Sequence, residues 1–197
     1  MKKTPKLVLA AAAATALVLG IAPAAQASGG SAPGSIVDVA VAASGGGTPD
    51  ANPADYDILV QALIATGLDA ALADTSQTYT VFAPNDRAFL RLVGDLTGSM
   101  PASEADALAT ITSSFTGEQI SNVLLYHVVA GRELGPVKVI TSKSLTMANG
   151  GIVKPRGINL RDETPALADP RLVIRGLNID ASNGVIHTID RVLVPAM

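Results

Sequence analysis

The chain has 197 residues, 48% of them hydrophobic, no cysteine and a formal net charge of −3. This length fits one ordinary domain with short extensions, and the lack of cysteine excludes a disulfide framework, so stability has to come from a packed apolar core. The basic residues are scattered singly, which disfavours nucleic acids and anionic membrane surfaces as partners because both require clustered Lys and Arg.

The first 27 residues are typical of a secretory signal peptide. Three lysines within the first six residues precede an apolar run over residues 7–21, and Ala25 and Ala27 are the small residues of a cleavage site. The alternative is an uncleaved N-terminal anchor, for which the run is short and rich in alanine. Cleavage leaves 11 basic against 17 acidic residues, a net charge of −6. It predicts an extracellular, cell-surface or periplasmic protein without a membrane span.

Residues 28–34 predict a flexible linker, after which one domain is expected over residues 35–197. Residues 35–43 are apolar enough for either a strand or a helix. A helix is predicted to begin at Asn52, as its N-cap, and to end at Gly67. One or two further helical turns are expected directly after it.

Residues 79–83 predict a strand, and the Pro-Asn pair that follows marks a corner where the Asn caps the next helix. Another helix is predicted over residues 103–111. Thr116 and Gln119 form a capping box that opens a further helix. The apolar face of that helix carries Ile120, Val123, Leu124, His127 and Val128.

After Gly131 the pattern changes from helical to β. Strands are predicted at residues 137–140, 144–147, 152–154, 158–160, 172–179 and 185–194. Two Asn-Gly pairs, at 149–150 and 183–184, are hairpin signals. A helical first half followed by a β second half predicts an α+β domain. The last strand is expected inside the sheet, because both of its faces are apolar.

Residues 80–89, 124–131 and 183–195 read TVFAPNDRAF, LLYHVVAG and NGVIHTIDRVLVP. In this order and at this spacing they resemble the signature blocks of the fasciclin (FAS1) domain family. The resemblance implies a wedge or sandwich of about seven strands with helices packed along it. Residues 94–117 and 154–171 look longer than in compact members of the family, and a binding specificity could differ there.

The resemblance also implies a secreted or surface-associated binding module for cell adhesion or contact with extracellular matrix. Its partner would be an unidentified surface protein or matrix component, or a second copy of the chain. Because the Tyr-His block of the family has been linked to adhesion, the implied binding residues are Leu124, Leu125, Tyr126, His127, Val128 and Val129. Their apolar character equally favours a buried structural role, and both interpretations stay open. The alternatives are a carrier of a lipophilic small molecule such as a carotenoid and a purely structural matrix protein.

The sequence predicts no enzyme, no metal site and no cofactor. His127 and His187 are the two histidines, and neither has the neighbouring ligands of a metal site. Ser182, His187 and Asp190 are close in sequence, but the turn that presents a nucleophilic serine is missing. All six aromatic residues lie between positions 56 and 126, on elements that read as core, so no exposed stacking platform for sugars or single-stranded nucleic acid is expected.

Overall fold

The structure is a computed structural model that describes residues 33–196. The predicted signal peptide over residues 1–27 and most of the predicted linker lie outside the described residues. Within the described part, no helix has both the length and the apolar character that a membrane crossing requires.

Between residues 33 and 196 the chain forms seven α-helices and seven β-strands, which confirms the α+β prediction. The helices are α1 (Ile36–Ala43), α2 (Asp57–Thr66), α3 (Leu68–Leu72), α4 (Asp86–Thr97), α5 (Glu104–Ser114), α6 (Gly117–Leu125) and α7 (Pro136–Thr141). The strands are β1 (Tyr79–Pro84), β2 (Val128–Ala130), β3 (Leu145–Thr146), β4 (Ile152–Arg156), β5 (Asn159–Arg161), β6 (Ile179–Ala181) and β7 (Gly184–Ile189).

The central pair of the larger sheet is formed by β1 and β7, in the strand order β2-β1-β7-β6. These two strands run parallel, from Tyr79 opposite Gly184 to Pro84 opposite Ile189, while the two edge strands pair antiparallel. Every residue of β7 is buried, as expected for an interior strand whose two faces are apolar. A second sheet has the order β3-β4-β5.

Successive residues of the larger sheet point into two different apolar cores, as the pleat of a strand requires. Val81 and Ala83 of β1 join the helical core, which contains the apolar faces of α2, α4, α5 and α6. Phe82, between them, joins the strand core, which contains buried residues of α7, β3, β4 and β5. Val128 and Val129 of β2 divide in the same way.

Local capping signals decide where several helices begin. Ser35 and Asp38 form a capping box, which makes residues 36–43 a helix where the sequence allowed either a helix or a strand. The cap of α4 by Asn85 is confirmed by the bond from the Ala88 N–H to its side chain at 3.1 Å. The predicted capping box of Thr116 is confirmed at the start of α6.

The start of α2 was predicted wrongly. The helix begins at Asp57, with Tyr56 and not Asn52 in the N-cap position. Its first free N–H groups are capped by a residue of α4: Asp86 accepts from the N–H of Asp57 at 3.1 Å and from that of Ile58 at 2.8 Å. A cap supplied from elsewhere in the fold leaves no local signal in the sequence.

The strand predicted at residues 137–140 is also wrong, because these residues lie in α7. Pro136 occupies the first turn, where its fixed φ and missing N–H suit a helix. Val139 is fully buried in the strand core, whereas Val137 is 70% exposed. Three of the four residues are β-branched and favour a strand, and packing of one face overrides that propensity.

The strand predicted at residues 172–179 is wrong except for its last residue, and the last predicted strand is shorter in the structure. Residues 172–179 contain a 3₁₀ turn over Ile174–Gly176, and regular pairing starts only at Ile179. The ladder of β7 ends at Ile189 and not at residue 194. Beyond it, backbone N–H groups donate to side chains: that of Leu193 to His127 at 2.9 Å, and that of Val194 to Asp162 at 3.0 Å.

Candidate functional site

The Tyr-His pair lies where α6 ends and β2 begins, and both side chains are buried. Tyr126 is the C-cap residue of α6 and has no exposed surface. Its hydroxyl donates to the carbonyl oxygen of Ile152 at 2.9 Å. Its ring lies so close to Gly151 that a Cβ there would be 2.6 Å from Cε2. The tyrosine therefore joins α6 to β4 through the strand core.

His127 uses both ring nitrogens within the fold. Its Nδ1 lies 2.7 Å from the carbonyl oxygen of Val123, to which it donates, and its Nε2 accepts the N–H of Leu193 at 2.9 Å. Burial lowers the pKa of His127 from 6.5 to about 4, so the ring is neutral at pH 7. Through these two hydrogen bonds the ring links the end of α6 to the segment that follows β7.

His187 has a similar arrangement on β7 with different partners. Its Nε2 lies 2.7 Å from the carbonyl oxygen of Leu134, and its Nδ1 accepts the N–H of Asn178 at 3.1 Å. Burial lowers the pKa of His187, and its ring lies 5.9 Å from that of Phe82. Both nitrogens of each histidine are thus engaged by backbone groups, and no lone pair is directed towards a metal ion.

The six binding residues implied by the family resemblance are mostly inaccessible. Leu124, Tyr126, His127, Val128 and Val129 are buried, and Leu125 is half-buried. Contact of this segment with a partner would need a local opening of the chain, and it stays a prediction. Of the six, Leu124 lines the cavity described below.

Ser182, His187 and Asp190 do not form a hydrolytic triad. Ser182 is exposed in the turn between β6 and β7, whereas His187 is fully buried further along β7. The Asp190 carboxylate accepts the N–H of Arg171 at 2.8 Å and lies 3.5 Å from the guanidinium of Arg91. His187 and Asp190 therefore have partners outside the proposed triad, and Ser182 lies at the opposite end of β7.

A cavity of about 230 Å³ lies at the edge of the helical core, and we call it the apolar cavity. Gln119 and Thr164 are the two polar residues in its lining. The other lining residues are Ile58, Ala62, Phe89, Leu92, Leu96, Ile111, Phe115, Ile120, Val123, Leu124, Ala166, Leu167, Val192 and Val194. Because Leu96 in its wall is 50% exposed, the cavity can be reached from the surface on that side.

Both segments in which the sequence predicted a differing specificity contribute walls to the apolar cavity. Residues 94–117 supply Ile111 and Phe115, and residues 154–171 supply the stretch from Thr164 to Leu167. This stretch is held in place because Thr164 Oγ1 donates to the carbonyl oxygen of Pro195 at 3.1 Å. The length of these segments was the available sequence signal, but it could not show that their apolar residues enclose a space.

The sequence matches the family described as Fasciclin domain over residues 54–195. It is 30% identical over 148 residues to the protein sll1483 of Synechocystis sp., covering 72% of this chain and 68% of that protein. It is 28% identical over 141 residues to the protein sll1735 of the same organism, covering 71% of this chain and 89% of that one.

Among solved structures, the fold is similar to a FAS1 domain pair from the insect cell adhesion molecule fasciclin I. The TM-score is 0.50 at 13% sequence identity, and the match covers 73% of this chain. It covers 48% of the domain pair, so the chain spans about half of that structure. At this identity the likeness shows the fold alone.

Proposed function

This chain belongs to the fasciclin domain family, and we propose that it acts outside the cytoplasm as a binding module whose ligand enters the apolar cavity. The observation that carries the proposal is the cavity itself, which is lined almost entirely by hydrocarbon and opens beside the exposed Leu96. An apolar recess with few polar groups is the usual form of a site for a lipophilic small molecule. Binding without chemistry also agrees with the separate partners of His187 and Asp190.

The size of the apolar cavity limits what it can hold. An engineered apolar cavity of about 150 Å³ is large enough to bind benzene. At about 230 Å³ this cavity accommodates a substituted ring or a short branched chain. A long lipophilic molecule such as a carotenoid would therefore be held by one end, with the remainder outside. The apolar cavity thus supports the carrier function that the sequence offered as an alternative.

A second candidate is adhesion to an unidentified surface protein or matrix component, and it is favoured by a different surface. On α7, Val137 is 70% and Ile140 is 37% exposed, three positions apart on the helix. Nearby in the fold, Ile152 of β4 is 42% exposed. Exposed apolar side chains of this kind suit contact with a protein partner. The similar insect protein, fasciclin I, is a cell adhesion molecule.

Titration with an apolar fluorophore such as N-phenyl-1-naphthylamine tests the first function, and the lack of tryptophan keeps the background low. We expect saturable binding that Val123→Phe weakens at least tenfold, because the larger ring fills the apolar cavity. The matched control is Ile64→Phe, which adds the same ring at a position 54% exposed and outside that cavity. Equal binding by all three proteins would remove the cavity as the site. Visible absorbance that co-elutes with protein from its native source would identify a pigment as the ligand.

A further inference from the structure

Five carboxylates meet beneath the loop that precedes α2. This acidic cluster consists of Asp50, Asp55, Asp57, Asp86 and Glu104. Four of them are buried, with exposed fractions of 7% or less, and Asp50 is exposed at the outer edge. No sequence motif indicates the cluster, because its members come from the loop before α2 and from three separate helices.

No basic side chain neutralises the acidic cluster within the described part of the chain. The ion pairs found between residues 33 and 196 join Arg91 to Asp190 and Arg191 to Asp95, away from these five groups. Buried carboxylates packed together in this way are stabilised by a positive counter-charge or by protonation of some of the carboxyl groups.

Unpartnered oxygens identify where that charge is missing. Both carboxylate oxygens of Asp57 and Oδ1 of Asp55 are buried and have no hydrogen-bond partner. The other buried members are engaged: Asp86 accepts two backbone N–H groups of α2, and Glu104 accepts the N–H of Asp50 at 2.8 Å. Buried polar atoms without partners are rare, and an ion is one of the explanations for them.

The spacing of these oxygens suits a metal ion. Asp50, Asp55 and Asp57 each offer one oxygen, and the three atoms lie within 4.8 Å of one another. Calcium binds oxygen ligands at about 2.3–2.6 Å, so two ligands on opposite sides of the ion are about 5 Å apart. All three oxygens can therefore surround a single ion.

We propose that Asp50, Asp55 and Asp57 form a binding site for a divalent cation, and that calcium is the ion they select. An all-oxygen, carboxylate-rich set favours a hard cation over zinc or copper, which prefer nitrogen and sulfur ligands. Calcium also tolerates irregular geometry, which suits ligands from a loop and the first turn of a helix. Water can complete the coordination on the exposed side of Asp50.

Glu104 and Asp86 act as positioning residues for this site. Glu104 of α5 holds the backbone of Asp50, and Asp86 of α4 holds that of Asp57. The ion would thus connect the loop before α2 to two further helices. These helices also line the apolar cavity, which places the cation site beside the proposed ligand site without sharing residues with it.

Calorimetric titration of EDTA-treated protein with CaCl₂ tests the proposal, together with thermal unfolding in EDTA and in 5 mM CaCl₂. We expect a dissociation constant below about 1 mM, the range of extracellular calcium modules, and a rise in unfolding temperature of several degrees. Asp57→Asn should weaken binding at least tenfold. Asp69→Asn, which removes the same charge from the first turn of α3, should leave binding unchanged.

Asp50→Asn gives a second test, since its exposed position makes folding of the variant secure even where Asp57→Asn fails to fold. It too should weaken calcium binding. The proposal is overturned if wild-type protein shows neither heat of binding nor a shift in unfolding temperature. It is also overturned if Asp57→Asn unfolds at a higher temperature in EDTA while calcium has no effect, because protons would then neutralise the cluster. An equal response to Mg²⁺ would overturn the assignment to calcium.

Discussion

The helical core and the strand core lie on opposite faces of one sheet, yet they are packed differently. The strand core holds the two largest fully buried side chains, Tyr126 and Phe82, and the tyrosine fits closely against Gly151. The helical core leaves the apolar cavity of about 230 Å³ between its helices and the loop at residues 164–167. Native interiors are normally filled to crystal-like density, so an accessible gap of this size is a departure from close packing, and it is where we propose that a ligand binds.

The difference also separates residues that hold the fold from residues that shape the cavity. The signature blocks supply buried polar side chains that link distant segments. His127, His187 and Asn183 each form hydrogen bonds with backbone groups far away in the sequence. The cavity walls come largely from segments outside those blocks. Resemblance to a family therefore identifies the scaffold, whereas the proposed ligand site is formed largely by parts of the chain outside the signature blocks.

Removal of the Tyr126 side chain is expected to have the largest effect. Tyr126→Ala leaves a void in the strand core and should lower the free energy of unfolding by about 3–5 kcal/mol, the usual cost for a buried aromatic residue. Chemical denaturation followed by circular dichroism measures this loss. An exposed control, Ile64→Ala, should change stability by less than about 0.5 kcal/mol.

The same variant tests the adhesive interpretation of the Tyr-His segment. If Tyr126→Ala keeps the stability of the wild type but loses attachment to native surface material, the segment contacts a partner despite its burial. Loss of both together assigns the tyrosine to the core.

Acidification should act next most strongly, through His127. Its folded pKa of about 4 lies below its ordinary value of 6.5, so the unfolded chain binds the proton more tightly. The contribution of the neutral ring is therefore lost as the pH falls from about 6.5 to 4, up to about 3 kcal/mol at 1.4 kcal/mol per pKa unit. Buried carboxyls with raised pKa values, such as Asp162, act in the opposite direction.

The difference in unfolding free energy between wild type and His127→Asn isolates the contribution of His127, because both proteins contain the same carboxyl groups. Unfolding free energies measured at pH 7 and pH 4.5 should converge as the pH falls. If the unfolding free energies of the two proteins change in parallel with pH, His127 does not titrate in this range. That result would contradict its assignment as a neutral, buried side chain that links two segments.

Features set by neighbouring residues were predictable from the sequence, and features set at a distance were not. The Asn85 cap, the Thr116 capping box and both Asn-Gly hairpins depend on residues within a few positions. The start of α2 depends on Asp86, which lies 28 positions from Ile58 in sequence. A prediction from neighbouring residues cannot include a hydrogen bond between positions so far apart in the sequence.

The same limit applies to the candidate sites. The Tyr-His segment was prominent because its residues are contiguous, and contiguous apolar residues are often core. The apolar cavity combines residues from α2, α4, α5, α6 and the end of the chain, and its volume is a property of their packing. Sequence length in residues 94–117 and 154–171 indicated where a specificity could differ, without indicating its chemistry.

Enlarging one side chain in each core should give opposite results of intermediate size. Ala62→Leu adds carbon atoms towards the apolar cavity and should raise the free energy of unfolding by about 0.5–2 kcal/mol. Val153→Leu adds a methylene to the filled strand core and should lower it by about 1–3 kcal/mol. Losses of equal size in both variants would show that the helical core has no usable space.

Removal of a single hydroxyl gives the smallest and most specific change. Tyr126→Phe keeps the ring against Gly151 and deletes only the hydrogen bond to the carbonyl oxygen of Ile152, so the expected loss is about 0.5–1.5 kcal/mol. Denaturant midpoints at constant slope measure it, with Tyr79→Phe as the control, because that hydroxyl bonds to Ala71 near the surface. If Tyr126→Phe costs as much as Tyr126→Ala, the hydroxyl and not the ring joins α6 to β4, and close packing does not distinguish the strand core from the helical core.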